Sequence, residues 1–102
     1  CIRDSPDIVR TQIEGSVAFA LSTVFRNAIT LEDGYVQETN FDAYEPTRMS
    51  EIPDIVVEIV DSDLAPSGIG EVGVAPVAPA IANAVFAATG VRHRQLPFVM
   101  DT

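Results

Sequence analysis

Residues 67–76, SGIGEVGVAP, set one carboxylate, Glu71, among Gly68, Gly70 and Gly73. Glycine costs roughly 1 kcal/mol against alanine inside a regular element. Three of them in six positions imply a turn that only glycine makes, or a backbone that something approaches closely. A carboxylate just ahead of a helix is stabilised in its charged form, which suits a general base. Gly70 and Gly73 would then remove side chains that block a substrate or cofactor. The same residues also fit a solvated loop glutamate whose glycines merely make turns, and spacing alone leaves both readings open.

GIGEVG matches the dinucleotide pattern G-x-G-x-x-G only formally. That fingerprint needs a helix starting at the glycines and an acid about 20 residues on. Here Pro76 and Pro79 intervene, and no acid follows in the helical segment beyond them. A phosphate loop is also excluded, since no lysine followed by serine or threonine is present.

Weaker candidates lie elsewhere. Gln12 precedes Gly15 by three residues and shares its helix face, where an amide could bond a polar heterocycle at both ends or serve as an ordinary core or surface side chain. Tyr44 and Arg48 could bind an anion or pin their loop, and Asp61 and Asp63 read as solvated loop carboxylates rather than a metal site. Cys1 and His93, one of each in the chain, cannot close a structural zinc site, so no metal ligands are assigned. His93 sits between Arg92 and Arg94, which predicts a solvated polar stretch.

The totals bound these readings. The 102 residues suit a single domain, 1–102, and 47% of them are hydrophobic, which argues against disorder. Net charge is −9, with six arginines and no lysine, so phosphate backbones and anionic membrane surfaces are repelled and no nucleic-acid partner is expected. No apolar run reaches the roughly 18 residues that span a bilayer. The amino terminus, CIRDSPDIV, has no initiating methionine, and the chain is expected to be a piece of a longer protein.

The elements that must position the candidates are legible. Ser5, Pro6 and Asp7 open a helix whose stripe is Val9, Ile13, Val17, Ala20, Leu21, Val24 and Ala28, with Gly15 near its middle marking tight packing or ligand approach. AITLEDGYVQET reads as a hairpin turning at Asp33-Gly34. NFDAYEPTRMSEIP is a loop, and DIVVEIV, residues 54–60, is β-branched and apolar on both faces, as an inner strand would be. A second helix is predicted from Pro76 to Thr89 and stopped by Gly90, with Val77, Ile81, Ala84, Val85 and Ala88 as its stripe and alanines suggesting burial on several sides. A short strand is expected over Val91–Leu96. The order gives an α+β fold, with a small mixed or antiparallel sheet and two main helices. That much apolar surface is more than the chain can cover itself, which fits a piece of a larger molecule or a homo-oligomer.

VRTQIEGSVAFALS, NFDAYEPTRMSEIPDIVVEIV, GIGEVGVAPVAPAIANAVFAATG and RQLPF together resemble the carboxy-terminal part of molybdenum hydroxylase large subunits, the xanthine dehydrogenase and aldehyde oxidase relatives. The similarity is greatest to isoquinoline 1-oxidoreductase beta subunits and runs from about Pro6 to Phe98. It implies part of a larger molybdopterin-binding domain, with molybdenum held by a pterin, often in cytosine dinucleotide form. It implies Glu71 as the general base in hydroxylation of an N-heterocycle or aldehyde, Gln12 as a cofactor contact, and Gly70 as the opening through which the metal centre approaches. Implied partners are the remainder of the large subunit and an iron–sulfur small subunit. The implied location leans to the bacterial periplasm or membrane. The chain departs from the family where CIRDSP lacks a glycine and has Ser5 for asparagine, and where Val72 and Ala75 replace prolines. Taken alone, the chain is expected to be inactive. A non-catalytic assembly domain on the same fold is the competing reading.

Overall fold

In the computed structural model, which describes residues 5–99, a helix, a hairpin and a second helix follow in the predicted order. The first helix, α1, spans Pro6–Phe25. Pro6 suits the start because its missing N–H would be unbonded there anyway. Ser5 occupies the N-cap, yet its hydroxyl makes no capping bond; its carbonyl accepts from Val9 N–H instead. Of the predicted stripe, Ala20, Leu21 and Val24 are buried, Val9, Ile13 and Val17 are half-buried, and Ala28 is exposed beyond the helix end.

The hairpin is two residues per strand. β1, Leu31–Glu32, pairs antiparallel with β2, Tyr35–Val36. Asp33 at φ 50° and Gly34 at φ 82° are both left-handed, as a two-residue hairpin loop demands. Glu38 closes the hairpin's open end, accepting bonds from the Thr30 hydroxyl at 2.6 Å and its backbone N–H at 2.7 Å.

The second helix, α2, is Val77–Thr89, and Gly90 ends it at φ 74°. Pro79 is accommodated because its ring falls in the first turn, where no intrahelical N–H bond is needed. α2 packs on α1 through Val77, with Val74, Ala78, Ile81 and Ala82 beside it. Ala84, Phe86 and Ala88 remain exposed, so the predicted burial on several sides does not occur among the described residues: α1 packs on one face of the helix and Arg92 lies over Phe86. Phe98 completes the core of Ala20, Leu21, Val24 and Val77, its N–H bonded to Val24 C=O at 2.7 Å.

Two strand predictions are corrected. Residues 54–60 form no strand, and neither do 91–96, because the described residues supply no partner edge; β1 and β2 satisfy one another. The antiparallel sheet is therefore only the hairpin.

The loop over 40–53 is tied to the end of α1. Ser22 Oγ accepts Thr47 N–H at 2.8 Å, Asn27 Nδ2 donates to Glu45 C=O at 2.7 Å, and Arg26 pairs with Glu45 and Glu51. The Arg48 backbone N–H holds the Glu51 carboxyl below its ordinary 4.5; partial desolvation opposes this and Arg26 reinforces it. Glu38 is lowered in the same direction by the Thr30 hydroxyl and then its N–H. A lowered native value means that the stabilisation is present above 4.5 and is lost as protons return below it. The urea midpoint is expected to fall between about pH 5 and pH 3, and the Glu51→Gln/Glu38→Gln variant to show a shallower fall. Identical pH profiles for the two proteins would contradict this account of the loop.

Candidate functional site around Glu71

The glycine-rich connection crosses α1 at one point. A Cβ built on Gly73 would stand 1.9 Å from Ser16 Oγ, 3.0 Å from Ser16 Cβ and 3.7 Å from the Ile13 carbonyl oxygen. Ser16 is buried, and its hydroxyl donates to that same carbonyl at 2.7 Å. Gly73 is thus a close-approach glycine against this chain's own helix, not one that clears a path for substrate. Sequence spacing did not reveal the Ser16 contact. The available signal was a small polar residue one turn beyond Gln12 on the predicted helix.

Gly68 and Gly70 differ. Neither has a heavy atom within 4 Å of its Cβ position, and neither adopts positive φ. The turn explanation therefore fails for them, and nothing in the described chain requires glycine at either site. Gly15, expected to mark packing or ligand approach, also has no atom within 4 Å. It borders a shallow hollow of about 380 Å³ between α1 and residues 52–55.

Glu71 is exposed, and no hydrogen bond or ion pair reaches its carboxylate among the described residues. Its carbonyl accepts Val74 N–H at 3.0 Å and begins the turns that lead into α2. Val77, the first residue of α2, is six positions on, so the connection rather than the helix end sets this side chain's position. Gln12 is exposed on α1 with its amide likewise unbonded among the described residues. It lies one turn before Ser16 on the same helix side. Packing Gly73 on Ser16 therefore carries the Glu71 connection across the part of α1 that holds Gln12. A free carboxylate and a free amide supply a proton acceptor and a two-ended hydrogen-bonding group.

The remaining candidates are not brought into this region. Asp61 and Asp63 are exposed, and no cluster of metal-binding side chains forms among the described residues. No bond joins the side chains of half-buried Tyr44 and exposed Arg48. His93 is half-buried rather than solvated, its ring 5.2 Å from that of Phe98, while Arg92 lies 3.6 Å over Phe86. Cys1 lies outside the described residues.

Known proteins align over most of the chain. The chain is 39% identical over 92 residues to isoquinoline 1-oxidoreductase subunit beta of Brevundimonas diminuta, covering 90% of this chain and 12% of that protein. It is 37% identical over 92 residues to a membrane-bound aldehyde dehydrogenase of Gluconacetobacter polyoxogenes, with the same coverage, whose name specifies pyrroloquinoline quinone. It is 30% identical over 105 residues to the aldehyde oxidoreductase molybdenum-binding subunit PaoC of Escherichia coli K12, covering 95% of this chain and 14% of that protein. The chain is homologous to molybdenum hydroxylase subunits. No protein-family model matches it. It spans about an eighth of the length of these relatives.

The two kinds of glycine predict different responses. Gly73→Ala is expected to destabilise the fold by about 1–3 kcal/mol through overpacking on Ser16. Gly70→Ala is expected to stay within about 0.5 kcal/mol. In urea unfolding followed by helical circular dichroism, Ser16→Gly should recover part of the Gly73→Ala loss, a coupling of at least about 0.5 kcal/mol. Equal costs at the two glycines, or strict additivity with Ser16→Gly, would contradict the contact.

Proposed function

We propose that this chain is the carboxy-terminal segment of the large subunit of a molybdenum-dependent hydroxylase, and that Glu71 is its general base. Homology to molybdenum-binding oxidoreductase subunits supports the class of enzyme. The observation that carries the assignment of the base is Glu71 itself. It is exposed and unpaired, on a connection fastened by Gly73 to the helix that bears Gln12.

The residues fit a pterin-held metal on chemical grounds. Gln12 offers an amide donor and acceptor suited to the edges of a heterocyclic ring. Gly70 leaves its backbone open on the side where a Cβ would stand. When bound, the group would supply the redox chemistry, accepting the two electrons released as a C–H carbon of a heterocycle or aldehyde becomes oxygenated. Glu71 would take up the proton lost from the attacking oxygen at its carboxylate. Gln12 would orient the pterin. The electrons would leave through an iron–sulfur subunit, and residues of the longer polypeptide would enclose the substrate. This chain alone should not retain the cofactor.

The test uses the longer polypeptide that contains this chain. Molybdenum and pterin should be present in equal amounts, whereas a quinone without molybdenum would contradict the reading. Glu71→Gln should lower kcat/KM by about 10²–10⁴-fold, the usual contribution of a positioned base, with molybdenum and pterin content unchanged. Turnover that survives the substitution would remove Glu71 from the mechanism.

A further inference from the structure

Residues 54–60, DIVVEIV, have the composition of a strand but no ladder. None of their backbone N–H or C=O groups bonds another described residue. The segment nevertheless alternates as a strand does. Ile55 and Val57 are half-buried, Ile55 beside α1, and Ile59 is 41% exposed, while Val56 and Val60 on the opposite face are 87% and 86% exposed. The start of the segment borders the hollow lined by Thr11, Gly15 and Ala18 of α1. Period-two burial without cross-strand bonds describes a strand lacking its neighbours.

The rest of the molecule is short of cover to match. A compact monomer of this mass exposes about 5,600 Å². This chain exposes 8023 Å². The excess exceeds the roughly 800 Å² per partner of a standard interface and falls in the range of permanent, apolar ones. The radius of gyration is 16.4 Å; about 13 Å is usual for this length.

Resting on the functional reading above, we infer that residues 54–60 are an inner β-strand whose two neighbouring strands belong to the longer polypeptide. A second copy is the poorer occupant. Antiparallel self-pairing about Val57 would use one edge and leave the other bare, and each copy brings a net charge of −9. Strands on both edges, with a further layer over Val56 and Val60, would satisfy the backbone and cover both faces. Relatives some eight times longer have the chain to supply them.

Hydrogen–deuterium exchange read by mass spectrometry tests this on the longer polypeptide and on the 102-residue chain. The amides of 55–60 should exchange at least 100-fold more slowly in the longer protein. Val57→Pro, which removes one ladder N–H, should abolish that protection and lower the cofactor-loaded yield of the longer protein. It should lower the urea midpoint of the 102-residue chain only slightly, because Val57 is no more than half-buried there. Equal exchange in both proteins would overturn the inference. So would protection that rises with concentration in the 102-residue chain, which would assign the strand to a second copy. A longer protein that holds molybdenum yet leaves 55–60 unprotected defeats the strand alone. One that protects 55–60 without molybdenum or pterin defeats the functional reading alone.

Discussion

The contact between Gly73 and Ser16 governs the arrangement of this chain. It brings the backbone of a connection onto a helix more closely than any side chain would allow, since a Cβ at Gly73 would collide with Ser16 Oγ. Ser16 in turn is fixed by its bond to the Ile13 carbonyl. The consequence reaches both ways along the chain. Two residues before the contact stands Glu71, and four residues after it α2 begins and buries Val77 against α1. One close approach thus sets the helix pair that makes the core and the position of the unpaired carboxylate.

Around that fixed point the chain divides into a satisfied half and an unsatisfied one. The end of α1 is well supplied with partners. Ser22, Arg26 and Asn27 bind the loop over 40–53, and Phe98 bonds Val24 and meets Phe25 edge-on at 6.3 Å between ring centres. Elsewhere, among the described residues, the side chains of Glu71 and Gln12 have no bonded partner, Gly68 and Gly70 have open space at their Cβ positions, and a strand-like segment has no sheet. A functional surface and an assembly surface both leave groups open in an isolated chain. Here they differ in chemistry. The open groups near Gly73 are few polar side chains, while 54–60 presents exposed apolar side chains beside a run of unbonded backbone groups.

Local signals in the sequence were reliable where local forces decide the structure. Pro6, the three- and four-residue apolar spacing, Asp33-Gly34 and Gly90 each act through their own backbone angles or nearest neighbours, and α1, the hairpin and α2 formed accordingly. Spacing alone left the plain readings of Glu71 and Gln12 open, and it was the family resemblance that singled them out. DIVVEIV was read as an inner strand from composition, but a strand needs edges that these residues do not contain. The role of Gly73 was misassigned for a related reason. Gly70 and Gly73 look alike in sequence, and only the fold reveals that one faces Ser16 and the other faces open space.

The central claim is that packing Gly73 on Ser16 presents Glu71 and Gln12 to one bound group. The most direct measurement is an experimental structure of the longer polypeptide with its cofactor in place. The account predicts the Glu71 carboxylate within hydrogen-bond reach of the metal's ligand sphere, about 3 Å or through one water, and the Gln12 amide bonded to the pterin of the same cofactor. A structure with Gly73 still seated on Ser16 but Glu71 directed away from the metal would contradict it.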